Sequence, residues 1–164
     1  MVFNTALSYV QNTEDAEEIT QDVFIEVHQS IASFRGESSL KTWIYRITIH
    51  KSLDVLKYKQ RKKRFAIITS LFQSPSEHAA EKHPPDFVHP GVLLEDKEKA
   101  TYLFNAINKL PENQKTAFIL SKIEGLGNIE ISTIMQNSVG AVESLLSRAK
   151  QNLKTYLSTY YDSI

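Results

Sequence analysis

The chain has 164 residues, 41% of them hydrophobic, an ordinary globular share that argues against wholesale disorder. It contains no cysteine, which removes disulfides and thiolate metal ligands and fits a cytoplasmic setting. A formal net charge of zero hides a segregation. Residues 1–34 carry six acids and no Lys or Arg, whereas residues 35–64 carry ten bases against Glu37 and Asp54. Two strongly charged surfaces that cancel in the total point to two different partners.

No apolar run approaches the ~20 residues needed to span a bilayer, and no signal peptide is visible, so membrane insertion is not expected. Taken in chain order, EDAEEITQDVFIEVHQSI predicts a helix starting near Thr13, an N-cap followed by acids in the first turn. Its apolar stripe is Ile19, Val23, Val27 and Ile31. Asp15, Glu18, Asp22 and Glu26 form a second stripe beside it. FRGESSLKTW then breaks the pattern with a loop at Gly36, and Ser38 or Ser39 caps the next helix.

That next helix, KTWIYRITIHKSLDVLKYKQRKKR, carries the single Trp among many cations. At about 100° per residue, Trp43, Arg46, His50, Lys57 and Arg61 share one stripe. Tyr45, Ile49, Ser52, Leu53 and Leu56 lie opposite and are expected to face inward. FAIITSLF either extends this helix or folds back on it. Four of the five prolines follow in SPSEHAAEKHPPDFVHPG, a linker too polar and broken to pack. Beyond it, LLEDKEKATYLFNAINKL, PENQKTAFILSKIEG, NIEISTIM and VGAVESLLSRAKQNLKTYL read as four helices. Pro111 suits a first helical position. The last pair, joined at QNS with Ser138 as N-cap, has the proportions of a helix-turn-helix.

Each constellation has a chemistry. A basic face attracts phosphates whatever their sequence, while an exposed Trp offers an unpaired base a surface to stack on. The plainer alternative is a solvated basic face with a half-buried Trp. The acidic stripe is either a solvated face or a dock for a basic protein surface. No His or further carboxylate stands in register with it, so a metal site is not expected. On the last helix Val142, Leu145, Leu146, Ala149 and Leu153 point inward. Glu143, Ser144, Ser147, Lys150 and Gln151 point out, with Arg148 at the border. A glutamate there can accept from a cytosine amino group, and the cations can take phosphates. The alternative is an ordinary helical hairpin. His78, His83 and His89 lack metal-like spacing, and no catalytic motif is present.

In combination these segments resemble one family, the extracytoplasmic-function sigma factors of bacterial RNA polymerase. The likeness runs through DAEEITQDVFIEV and FRGESSLKTWIYRITIHKSLDVLK, then through KLPENQKTAFILSKIEGL and SVGAVESLLSRAKQNLK, in that order. The resemblance implies an all-α protein of two small helical domains, residues 1–70 and 92–164, joined by a flexible Pro-rich linker over 71–91, with the helix-turn-helix at the C-terminal end. Asp15, Glu18, Gln21, Asp22 and Glu26 would dock on the clamp helices of the polymerase's largest subunit, with the flap region as a further core contact. Arg35, Lys41, Trp43, Arg46, His50, Lys57 and Arg61 would hold the melted −10 element. Ser138, Glu143, Ser144, Ser147, Arg148 and Lys150 would contact the −35 element. The acidic linker would run towards the active-site and RNA-exit region.

The expected partners are therefore core polymerase, promoter DNA and, as in relatives, an anti-sigma factor. The resemblance implies no enzyme activity, cofactor or metal. Four departures stand out. A helix that usually precedes the segment matching FNTALSYV is missing. Glu143 and Leu145 replace a Lys and an Arg common in relatives, which implies an altered base preference. Gly127 and Asn128 replace a Ser-aromatic pair and put the cap of the third helix in doubt. His50 stands where Asn is common. The rival readings are a helix-turn-helix regulator that ignores the polymerase and a helical protein–protein adaptor.

Overall fold

Every regular element among the described residues, 1–72 and 97–161 of this computed structural model, is helical. Leu71 and Phe72, counted in the predicted linker, are helical, because the helix before the linker runs on through them; the rest of the linker lies outside the described residues, as do His78, His83 and His89. The first helix, α1 (Val2–Val10), stops where Gln11 enters the left-handed region at φ 53° and its N–H returns to the Leu7 carbonyl. The second, α2 (Thr13–Ser30), begins one residue earlier than expected at its cap. Asn12, not Thr13, accepts the Asp15 N–H at 2.8 Å. An Asn in extended conformation is as good an acceptor as Thr, and its position is set by the tight turn from α1. The buried stripe of α2 is Ala16, Ile19 and Val23. Val27 is partly buried, and Ile31 falls in a following 3₁₀ turn (Ile31–Ser33) and is exposed.

Helix α3 (Leu40–Phe72) continues through the FAIITSLF stretch, which settles the choice between extension and return. Ser39 caps it, its hydroxyl accepting the Thr42 N–H at 3.1 Å. Two separate sides of α3 are buried. Ile47, with Trp43, Ile44 and Val55, packs on α1 and α2. Tyr45 and Ile49, with Leu53 and Leu56, pack instead on the C-terminal helices. The face expected to be inward is indeed covered, but by the other half of the chain.

The C-terminal half comprises α4 (Lys97–Asn108), α5 (Glu112–Phe118), α6 (Asn128–Met135) and α7 (Val139–Tyr161). Pro111 is the N-cap of α5, one position outside the expected one. A π turn (Ile119–Ile123) follows α5. Gly125, at φ 71°, then reverses the chain in a conformation that disfavours residues with a Cβ. Gly127 caps α6 despite having no side chain, because the Glu130 carboxylate reaches back to its N–H at 3.1 Å. Ile107, Ala117, Leu120, Ile131, Val142, Ala149 and Leu153 fill the core between these helices. Each Leu, Ile or Val so removed from water contributes about 1.5–3 kcal/mol.

Candidate nucleic-acid interface

The turn between α6 and α7 is built from local chemistry. Gln136 takes the left-handed conformation at φ 55°, its N–H bonded to the Ser132 carbonyl. Ser138 then caps α7 by accepting the Ala141 N–H at 3.2 Å. Val142, Leu146 and Ala149 anchor α7 inward, while Leu145 is only partly buried. Ser138, Glu143, Ser144, Ser147, Arg148 and Lys150 are all exposed, so the six predicted contacts share the solvent side of the second helix of the pair. Asn128 of α6 reaches Glu143 with a long 3.4 Å hydrogen bond.

Trp43 departs from the outward position drawn from the helical wheel. It is half-buried, with its ring centroid 5.1 Å from that of Phe34 at an interplanar angle of 37°. Phe34 precedes the loop at Gly36, and that loop folds back beside α3. The rest of the indole fronts two cavities. One, of about 310 Å³, is lined by Phe34, Arg35, Arg46 and Ile47. The other, of about 390 Å³, is lined by Arg46, His50, Lys51 and Asp54. Both are large enough for a planar group. Lys51, absent from the predicted site, joins this cluster because it borders the cavity. It lies a full 100° from His50 on the wheel, so no stripe argument selects it.

The predicted cationic stripe is not uniformly free. Arg35, Lys41, His50, Lys57 and Arg61 are exposed. Arg46 is partly buried, its guanidinium donating to the carbonyls of Thr133 at 2.6 Å and Ile134 at 3.2 Å, in the last turn of α6. A cation there satisfies carbonyls left over at a helix end. Lys57 pairs with Glu112 at 3.3 Å. The structure thus turns part of this stripe towards the C-terminal helices, across a cleft of about 500 Å³ that Ile49 and Asn137 also line.

The acidic face divides as well. Asp15 pairs with Lys59, and Glu26 with Lys51 at 2.9 Å. The Glu26 hydrogen bond is the main reason the Lys51 ammonium holds its proton above the ordinary range. Glu18, Gln21 and Asp22 are exposed, with the apolar Phe24 and Ile25 beside them at 56% exposure each. Among the described residues no cluster of His, Asp and Glu has metal-holding geometry, and no helix is long and apolar enough to cross a membrane.

Comparison with known proteins places the chain in a family. Residues 1–62 fit the model of sigma-70 region 2, and residues 101–153 that of sigma-70 region 4. The chain is 30% identical over 155 residues to the RNA polymerase sigma-H factor of Pseudomonas aeruginosa, covering 92% of this chain and 77% of the relative. It is 33% identical over 140 residues to the ECF RNA polymerase sigma-E factor of Haemophilus influenzae, covering 85% and 73%. The sigma factor RpoE of Bartonella quintana, solved in complex with the anti-sigma factor NepR, has the same fold. Its TM-score is 0.62 at 24% identity, over 96% of this chain and 89% of that one. CnrH, solved with the cytosolic domain of CnrY, gives a TM-score of 0.65 at 18% identity, over 96% and 80%. The chain belongs to the sigma-70 family, among the extracytoplasmic-function sigma factors of RNA polymerase.

Proposed function

We propose that three surfaces divide the work of promoter recognition in this sigma factor. Residues 1–70 form one domain and residues 92–164 the other, joined through 71–91. Glu18, Gln21 and Asp22, with Phe24 and Ile25, dock on the core polymerase; Asp15 and Glu26 hold α2 against α3 from behind. Trp43 and its cations take the non-template strand of the −10 element as it leaves the duplex. The outward face of α7 enters the major groove at −35, where Glu143 reads a base edge and Arg148 and Lys150 take phosphates. The chain acts in the cytoplasm, where its polymerase is, and makes or breaks no bond itself.

The observation that carries this reading is the partly exposed indole of Trp43 in the lining of two cavities that also hold Arg35, Arg46, His50 and Lys51. Phosphate binding alone needs cations and no aromatic surface. A stacking platform in a groove where Arg35, Arg46, His50 and Lys51 stand beside Glu26, Glu37 and Asp54 suits a strand whose bases are unpaired. Trapping those bases makes melting favourable by removing the strand from the re-annealing equilibrium. A regulator independent of polymerase would use α7 but leave the α2 face and the Trp43 cavities without a task.

The test is association with the purified core enzyme. Mixed with core on a sizing column, the chain should co-elute, and Asp22→Lys should weaken that complex. Separate elution of the two at micromolar concentration refutes the assignment.

A further inference from the structure

The solvent side of α7 has a polarity that its residue names alone do not give. Glu143 is exposed near the start of the helix, and Asn128, the first residue of α6, donates its side-chain amide to the Glu143 Oε1 at 3.4 Å. An ionised carboxylate only accepts, so the amide must present its nitrogen there. Among the described residues Asn128 is the one partner of that carboxylate, and no lysine or arginine pairs with it. Ser144, the next exposed residue, turns its proton inward: its hydroxyl donates to the Gly140 carbonyl at 2.9 Å. What it shows to solvent is an acceptor. Ser138 is the reverse case, since its oxygen accepts the Ala141 N–H at 3.2 Å and its proton points elsewhere.

Polarity of this kind selects bases. In the major groove guanine shows two acceptors, and thymine shows an acceptor and a methyl group, whereas cytosine and adenine each show an amino donor. Adenine sets its N7 acceptor beside that donor and cytosine does not, so a carboxylate is repelled by the adenine edge and not by the cytosine edge. A negative side chain brought among phosphates weakens binding unless a base donor offsets it. We propose that Asn128 is a positioning residue for −35 recognition. By taking one oxygen of Glu143 it aims the other into the groove, and with Ser144 it builds an acceptor-only edge. That edge selects a cytosine at one position and an amino-bearing base, cytosine or adenine, at a neighbouring one. The proposal rests on the sigma-factor reading above. At 3.4 Å the Asn128 bond is long and adds little stability; its effect is on direction. The two residues stand 15 apart in the chain, so only the packing of α6 on α7 makes the pair.

Holoenzyme rebuilt from purified core and the full chain, used to select bound duplexes from a pool randomised across the upstream element, tests the pair. Glu143→Ala identifies the base position that Glu143 faces, as the one whose preference it abolishes. The unsubstituted chain should favour cytosine there by about 10-fold. Asn128→Ala should lower that preference about 3-fold at this position alone, with the thermal midpoint and the preferences elsewhere in the element unchanged. Asn128→Asp, which keeps the size and removes the donor, should do the same, and Asn128→Gln, which keeps a donor, should retain most of the preference. Ser144→Ala should relax the neighbouring position. A base other than cytosine at the Glu143 position overturns the proposal, as does a Glu143→Ala variant that alters no position. So does an Asn128→Ala variant that keeps the full preference or loses it evenly across the element. A holoenzyme that enriches no upstream sequence beyond core alone sinks the sigma-factor reading, and the proposal with it. An upstream motif without these two preferences leaves that reading standing and removes only the proposal.

Discussion

Trp43→Ala removes the group on which promoter melting is argued to depend, and its two effects can be predicted separately. Truncating a buried aromatic costs about 3–5 kcal/mol of stability. Trp43 keeps only a minority of its surface exposed and packs on the N-terminal core, so roughly 2–3 kcal/mol is expected, including its contact with Phe34. The second effect is on DNA. Loss of one base-stacking platform costs about 1–3 kcal/mol, a factor of roughly 5 to 150 in affinity for the unpaired strand. The assay is binding of reconstituted holoenzyme to a fork-junction DNA with a single-stranded −10 element, against a duplex bearing only the −35 element. Both are measured well below the melting temperature of the variant. Fork binding should fall by the stated factor while duplex binding stays within about twofold. Phe34→Leu is the control, since it loosens the indole's support but leaves the platform in place. Equal losses on fork and duplex, or a Phe34→Leu defect as large as that of Trp43→Ala, would refute the stacking role.

Other outcomes follow from the same geometry. Burial pushes the Lys115 ammonium down from 10.5 to about 8. The unfolded state therefore binds more protons above about pH 8, and stability should rise as pH increases to about 9.5, before the buried Tyr9 and Tyr45 hydroxyls, held protonated in the fold, reverse the trend near 10. Lys115→Met should flatten that rise in thermal melts. Glu143→Lys should change the preferred base at one −35 position, with discrimination of about 1–3 kcal/mol in a promoter-variant series. Lys150→Ala should weaken binding to all sequences alike and reduce the salt dependence by about one counterion. Asp22→Lys should slow association with core, as charge reversal on an exposed surface does, with thermal stability changed by no more than about 0.5 kcal/mol.

The helices and their order were legible because periodicity and capping are local. Pro111, Gly125 and Ser138 mark boundaries within a residue or two, Gly36 marks the loop before α3, and the solvent face of α7 follows from the spacing of Val142, Leu146 and Ala149. The Asn12 cap was missed by one position, since Asn and Thr are similar acceptors and only the turn after α1 decides between them. The double burial of α3 was harder to read. A helix covered on two sides by different partners loses the single polar face that the wheel assumes, so Trp43 appeared more exposed than it is. Contacts between the halves left no local trace. Glu124, Tyr9 and Lys115 look like routine surface or core residues until the chain brings α1 and α3 against the π turn. The polar seam around them depends on pairs up to 119 residues apart.

Run-off transcription with purified core polymerase on a pool of randomised upstream sequences addresses the central claim most directly. Added protein should enrich templates sharing two short motifs at a fixed spacing, with strand opening over the downstream one. Transcript yields and template distribution indistinguishable from those of core alone would contradict it.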